Sequence, residues 1–171
     1  MAMEKLQAAL DKARKTRTTP AHPARPAASS RRAPDQHDGQ DALWQALDTF
    51  TVDPRHLETH RVVTHAASEA ATPFDILRTK VLLQMRQNGW KRLAITSPMP
   101  QSGKTTTACN LALGLGRQRD LRAMLFDLDL RDPSVHEFFE TTPPHSIDHF
   151  LNGEVGFAQQ ALRIGDNVAV L

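Results

Sequence analysis

A single phrase near the middle of the chain restricts what it can become. Leu93-Ala94-Ile95-Thr96 is a short apolar run with strand character. It is followed at once by Ser97-Pro98-Met99-Pro100-Gln101-Ser102-Gly103-Lys104-Thr105-Thr106 and then by a helical pattern. A buried strand, a loop closing on Gly-Lys-Thr and a helix starting at that lysine are the parts of a phosphate-binding loop. Each residue type has a chemical reason to be there. Gly103 lets backbone N–H groups approach phosphate oxygens, Lys104 reaches the β and γ oxygens, and Thr105 offers its hydroxyl to Mg2+. Thr106 is placed for the α-phosphate, and Gln101 and Ser102 line the loop. The first glycine usual in such loops is absent, because position 98 is proline.

A second phrase, Met124-Leu125-Phe126-Asp127-Leu128-Asp129-Leu130-Arg131, ends an apolar run in alternating charges. In an extended chain, period two places Asp127, Asp129 and Arg131 on one side. Two carboxylates so close repel one another unless a cation compensates, and Mg2+ carried with a nucleotide meets that need. Asp127, Asp129 and Thr105 are therefore the candidate metal ligands. The interval from Lys104 to Asp127 holds one helix and a return into a parallel neighbouring strand, so both groups point into the crevice at the strand ends.

The flanking sequence predicts an α/β fold with a mainly parallel sheet. Phe74, Leu77, Val81 and Met85 recur at helical spacing, with Pro73 to start the helix and Gly89 to stop it. Buried strands are expected at Leu93–Thr96 and Leu121–Leu128, around a helix from Lys104 to Arg117. Arg61-Val62-Val63-Thr64 reads as an edge strand. Short helices are expected at Val135–Phe139 and Ile147–Leu151, with a last strand over Asn167–Leu171. Strands ending at Val168–Leu171 would leave unpaired edges.

Composition locates the remainder. The 171 residues contain 21 Lys and Arg against 19 Asp and Glu, a formal charge of +2, which excludes a protein built to coat nucleic acid. Mean hydropathy is −0.44, and the polar excess is local. Residues 1–40 are basic and crowded with Pro, Ala and Arg, and predict a flexible, disordered arm ahead of an ordered domain over 41–171. The single cysteine, Cys109, cannot form an intramolecular disulfide, and no run approaches the apolar length of a membrane span. A cytoplasmic location is expected.

Taken together, Thr96 to Asn110 and Met124 to His136 resemble the bacterial tyrosine kinases of capsule and exopolysaccharide synthesis, a branch of the deviant P-loop ATPases. Thr-Ser-Pro-x-Pro-x-x-Gly-Lys-Thr and Asp-Leu-Asp-Leu-Arg-x-Pro-Ser-Val carry the resemblance. It implies a three-layer αβα P-loop domain that holds ATP and Mg2+ through Lys104, Thr105 and Thr106, with Asp127 as base and Asp129 supporting the metal. It also implies a membrane-embedded polysaccharide chain-length regulator as partner, a place at the inner face of the cell membrane, and homo-oligomers.

Three departures from the family pattern are visible. No later apolar run ends in aspartate before Leu171, so the sheet is expected to be incomplete, as in the N-terminal part of a longer protein. The chain contains no tyrosine. The family's Glu-x-x-Arg-x-x-Arg ring-forming motif reads Thr72, Asp75 and Arg78 here. Two other readings stand beside the kinase: a partitioning or division-site ATPase switch, and a nucleotide-binding regulator without turnover.

Overall fold

The computed structural model describes residues 36–171. The first 35 residues of the basic arm expected over residues 1–40 lie outside them. The first described helix, α1 (Gln36–Gln45), crosses the boundary expected after residue 40. Its Trp44 is buried, donates its indole N–H to the Asp166 carbonyl at 2.8 Å, and lies under the Arg122 guanidinium.

Among the described residues the sheet has four short strands: β1 (Asp48–Phe50), β2 (Ala123–Leu125), β3 (Leu162–Ile164) and β4 (Val168–Val170), in the order β1-β3-β4-β2. β1 runs parallel to β3 and β2 parallel to β4, while β3 and β4 form an antiparallel pair. The fold is thus mixed α/β with a mostly parallel sheet. β4 is an inner strand, buried at all three residues, so the unpaired edges belong to β1 and β2 and not to Val168–Leu171. Beyond β2, backbone bonds from Leu171 to Leu125 and from Asp127 to Leu171 carry the ladder as far as Asp127.

Alternation along β4 sends its side chains to opposite faces. Val168 and Val170 join Cys109, Ala112 and Leu113 of α4 (Lys104–Gly116), together with Leu57, Val62, Val135 and Phe139. Ala169 and Leu171 join Trp44, Leu47 and Ala161, with Ile147, Phe150 and Phe157 packed against them. Apolar helix residues therefore stand on both sides of β4. α4 is buried continuously from Cys109 to Gly114, which explains why its sequence is apolar all round rather than striped.

Helix α3 (Thr72–Asn88) starts with Pro73 in its first turn and stops at Gly89, whose φ of +65° suits a left-handed cap. It lies on the surface with no fully buried residue. It is held by Asp75, whose carboxylate binds Arg78 at 2.7 Å and Arg117 at 3.1 Å, while Arg78 also donates to the Gly114 carbonyl.

Of the expected strands, Leu93–Thr96 is not a strand and Leu121–Leu128 is one only in part. Leu93–Thr96 has no ladder partner among the described residues, and Leu93 is half exposed. An apolar run becomes a buried strand only where a neighbour supplies the hydrogen bonds. Leu121–Leu128 shortens to β2 because β4 offers only three paired residues; along it odd positions are half-buried while Met124, Phe126, Leu128 and Leu130 are exposed.

Arg61–Thr64, expected as an edge strand, is a strap bound to α4 by a side chain. Fully buried Asn110 accepts from Val63 N–H at 2.9 Å and Thr64 N–H at 3.3 Å, and donates to the carbonyls of Arg61 and Thr106, both at 2.9 Å. The Thr64 hydroxyl donates to the Asn110 carbonyl at 2.7 Å. One amide group does for this segment what a neighbouring strand would have done. Short helices α2 (Pro54–Thr59), α5 (Val135–Phe138), α6 (Ile147–Leu151) and α7 (Phe157–Gln160) complete the described chain.

Candidate functional site

The loop before α4 turns twice through the left-handed region, at Gln101 (φ 56°) and at Gly103 (φ 83°). Glycine adopts this conformation freely, whereas at Gln101 it stores strain of the kind found at ligand-binding loops. Ser97 tightens the loop by donating its hydroxyl to the Met99 carbonyl at 2.8 Å. Gly103 is the N-cap of α4 and makes no side-chain cap bond; the first helical bond runs from Thr107 N–H to the Gly103 carbonyl at 2.9 Å. The N–H groups of the first turn therefore lack intrahelical acceptors, and the helix dipole puts partial positive charge at the same place. A cradle of this kind accepts an oxyanion.

Acidic side chains face this cradle. Lys104 Nζ lies 2.7 Å from Asp129 Oδ2, with both side chains about 30% exposed. The hydrogen bond to Asp129 raises the Lys104 amine above its ordinary range, and the bond to Lys104 holds the Asp129 carboxyl below its own. Asp129 also accepts the Asp132 N–H at 3.3 Å.

Asp127 is engaged differently. Its Oδ1 accepts the Asp129 N–H at 3.1 Å, and its Oδ2 accepts the N–H groups of Ser134 and Val135 at 2.8 and 2.9 Å. This carboxylate thereby caps the start of α5 from a distance. Thr105 Oγ1 lies 3.1 Å from Ser134 Oγ.

The structure thus brings Lys104, Thr105, Asp127 and Asp129 into one group at the N-terminus of α4. Gln101 and Ser102 are exposed on the loop, and the half-buried Thr106 presents its carbonyl to Asn110. The oxygen donors of Thr105, Asp127 and Asp129 match the hard-ligand preference of Mg2+, which retains several waters and needs few protein ligands. No cluster of three or more His, Cys, Asp or Glu side chains suited to a metal occurs among the described residues. A cation held here would share its coordination with water or a ligand.

Two residues at the site escaped the sequence reading. Asn110 sits in the apolar phrase Ala-Cys-Asn-Leu and shows no outward sign of its clamp. Ser134 did carry a signal, since Ser134 and Glu137 have the Ser-x-x-Glu spacing of a helix start. Its side chain makes no cap bond, because Asp127 already holds the N–H groups there. A surface depression of about 320 Å3 bordered by Val52, Leu57, His65, Leu113 and Phe139 lies toward the other end of α4, away from this chemistry.

Among the described residues no helix is long and apolar enough to cross a membrane. No protein-family model and no solved structure matches the chain. It is 32% identical over 101 residues to tyrosine-protein kinase YwqD of Bacillus subtilis (strain 168). The match covers 59% of this chain and 38% of that kinase, so the chain spans well under two thirds of its relative's length. Over that part, the chain is similar to a bacterial tyrosine-protein kinase.

Proposed function

We propose that this chain is a tyrosine-kinase-like P-loop protein that binds MgATP. The observation that carries the reading is the uncapped N-terminus of α4, with Lys104 and Thr105 in its first turn and the carboxylates of Asp127 and Asp129 facing them. The likeness to a tyrosine-protein kinase supports it independently. In this reading the N–H groups around Gly103 to Thr106 hold the phosphates and Lys104 meets the β and γ oxygens. Thr105, Asp127 and Asp129 hold Mg2+ directly or through water, and the metal supplies charge neutralisation for phosphoryl transfer. The apolar helix residues on both faces of β4 support a three-layer αβα arrangement for the domain.

The 171 residues contain no tyrosine, so in this reading the acceptor hydroxyl lies outside them. By the family resemblance, the setting is exopolysaccharide synthesis at the inner face of the cell membrane, with a membrane-embedded chain-length regulator as partner. One observation favours a second reading. Both oxygens of Asp127 already accept N–H bonds, which suits a structural cap better than a base and is consistent with a nucleotide-binding regulator.

Calorimetry of MgATP binding, with Lys104→Met as control, tests the first step. Binding that disappears in the variant supports the reading; absence of binding by the folded wild type refutes it. Radiolabelled ATP with a tyrosine-containing acceptor then separates a kinase, which transfers label, from a regulator, which does not.

A further inference from the structure

Ser134 touches both halves of the site, one through its hydroxyl and the other through its backbone N–H. Its Oγ lies 3.1 Å from Thr105 Oγ1, and its backbone N–H donates to Asp127 at 2.8 Å. The next residue, Val135, is buried in the core beside Phe139, so the backbone at Ser134 is anchored by packing rather than left to the loop. The side chain is available for Thr105 because Asp127 has taken over the capping of α5.

We infer that Ser134 is a positioning residue that orients the Thr105 hydroxyl toward the divalent cation accompanying the nucleotide. The inference rests on the MgATP reading above. A threonine hydroxyl that gives a lone pair to a cation keeps its proton and needs an acceptor for it. Ser134 Oγ stands at the distance of that acceptor, and it is tied through its own N–H to a second oxygen donor of the same group. Thr105 and Asp127 are thereby fixed relative to each other through a single residue. Partners of this kind set metal affinity without touching the metal, and their loss weakens it by about 10- to 100-fold.

The test is a Mg2+ titration of ATP binding, followed by calorimetry, for wild type, Ser134→Ala and Ser134→Thr, with a parallel series in EDTA. For Ser134→Ala, the Mg2+ concentration needed for half-maximal tight binding rises about tenfold. Metal-free ATP binding and the melting temperature stay at the wild-type level, and Ser134→Thr restores the Mg2+ dependence. An unchanged Mg2+ requirement in Ser134→Ala overturns the inference. So does an equal loss with and without metal, which marks a purely structural role. If folded wild type binds no ATP in either series, the MgATP reading itself has failed and this inference falls with it.

Discussion

Replacing Asn110 with alanine removes the amide that binds the 61–64 strap to α4. Two N–H groups, those of Val63 and Thr64, and the Arg61 carbonyl lose their partner; Val62 and Thr64 are fully buried, so water cannot readily replace it. Thr106 is less affected, because its carbonyl lies within the helix. An orphaned buried group costs about 1–3 kcal/mol, and two of these three bonds are only partly buried, so about 3 kcal/mol is expected. That is a large share of a stability of about 5–15 kcal/mol, and in a domain of this size it lowers Tm by roughly 10 °C. Urea and thermal unfolding followed by far-UV circular dichroism measure it. Thr64→Val, which removes only the 2.7 Å bond to the Asn110 carbonyl, should cost about 1 kcal/mol in the same assay. A loss below about 1 kcal/mol for Asn110→Ala would refute the reasoning, since the strap would then be hydrated rather than clamped.

Asp129→Asn removes the anion that holds Lys104 and frees the amine for phosphate, so ATP should bind about two- to fivefold more tightly in EDTA, while its Mg2+ enhancement shrinks. Metal-free affinity equal to or weaker than wild type would contradict the exchange. Burial pushes the Cys109 thiol up from 9.0 to about 12, with the Asp127 charge adding to the shift. A raised pKa in the folded state means that this contribution to stability is complete below pH 9 and is lost as pH rises toward 12, by about 4 kcal/mol at most. Urea unfolding between pH 8 and 11 should show a steeper decline for wild type than for Cys109→Ala, and equal slopes would count against it.

The parts of the structure that could be read in advance are those whose causes are local. Pro73 and Gly89 frame α3, and the Gly-Lys boundary opens α4, because these residues act on their own backbone. Ile147–Leu151 forms a helix as expected, and the last strand lies within Asn167–Leu171. What could not be read depends on partners distant in sequence. β1 and β3 are three residues long, too short for alternation to register, and exist because they pair with each other. Leu93–Thr96 and Arg61–Thr64 have strand-like composition, yet neither is a strand: the first has no ladder neighbour among the described residues, and the second is bound by Asn110. At the site, period two groups Asp127, Asp129 and Arg131; Asp127 and Asp129 are both half-buried, whereas Arg131 is exposed. Ser134 was hidden by a capping role that a residue seven positions earlier performs.

The sheet order has a consequence for how the chain comes together. Among the described residues every ladder uses β3 or β4: β1 waits for Leu162–Ile164, and β2 waits for Val168–Val170. The Trp44 bond to Asp166 closes a span of 122 residues. During synthesis, α3 and α4 can form and pack while they emerge, but no sheet pairing is possible until residue 162 has left the ribosome. Closing loops of this length carries the entropy loss before any strand contact rewards it, so assembly of the sheet should be the slow and late event. Until then the β2 edge, with exposed Met124 within it and Phe126 just beyond, is the surface most open to wrong partners.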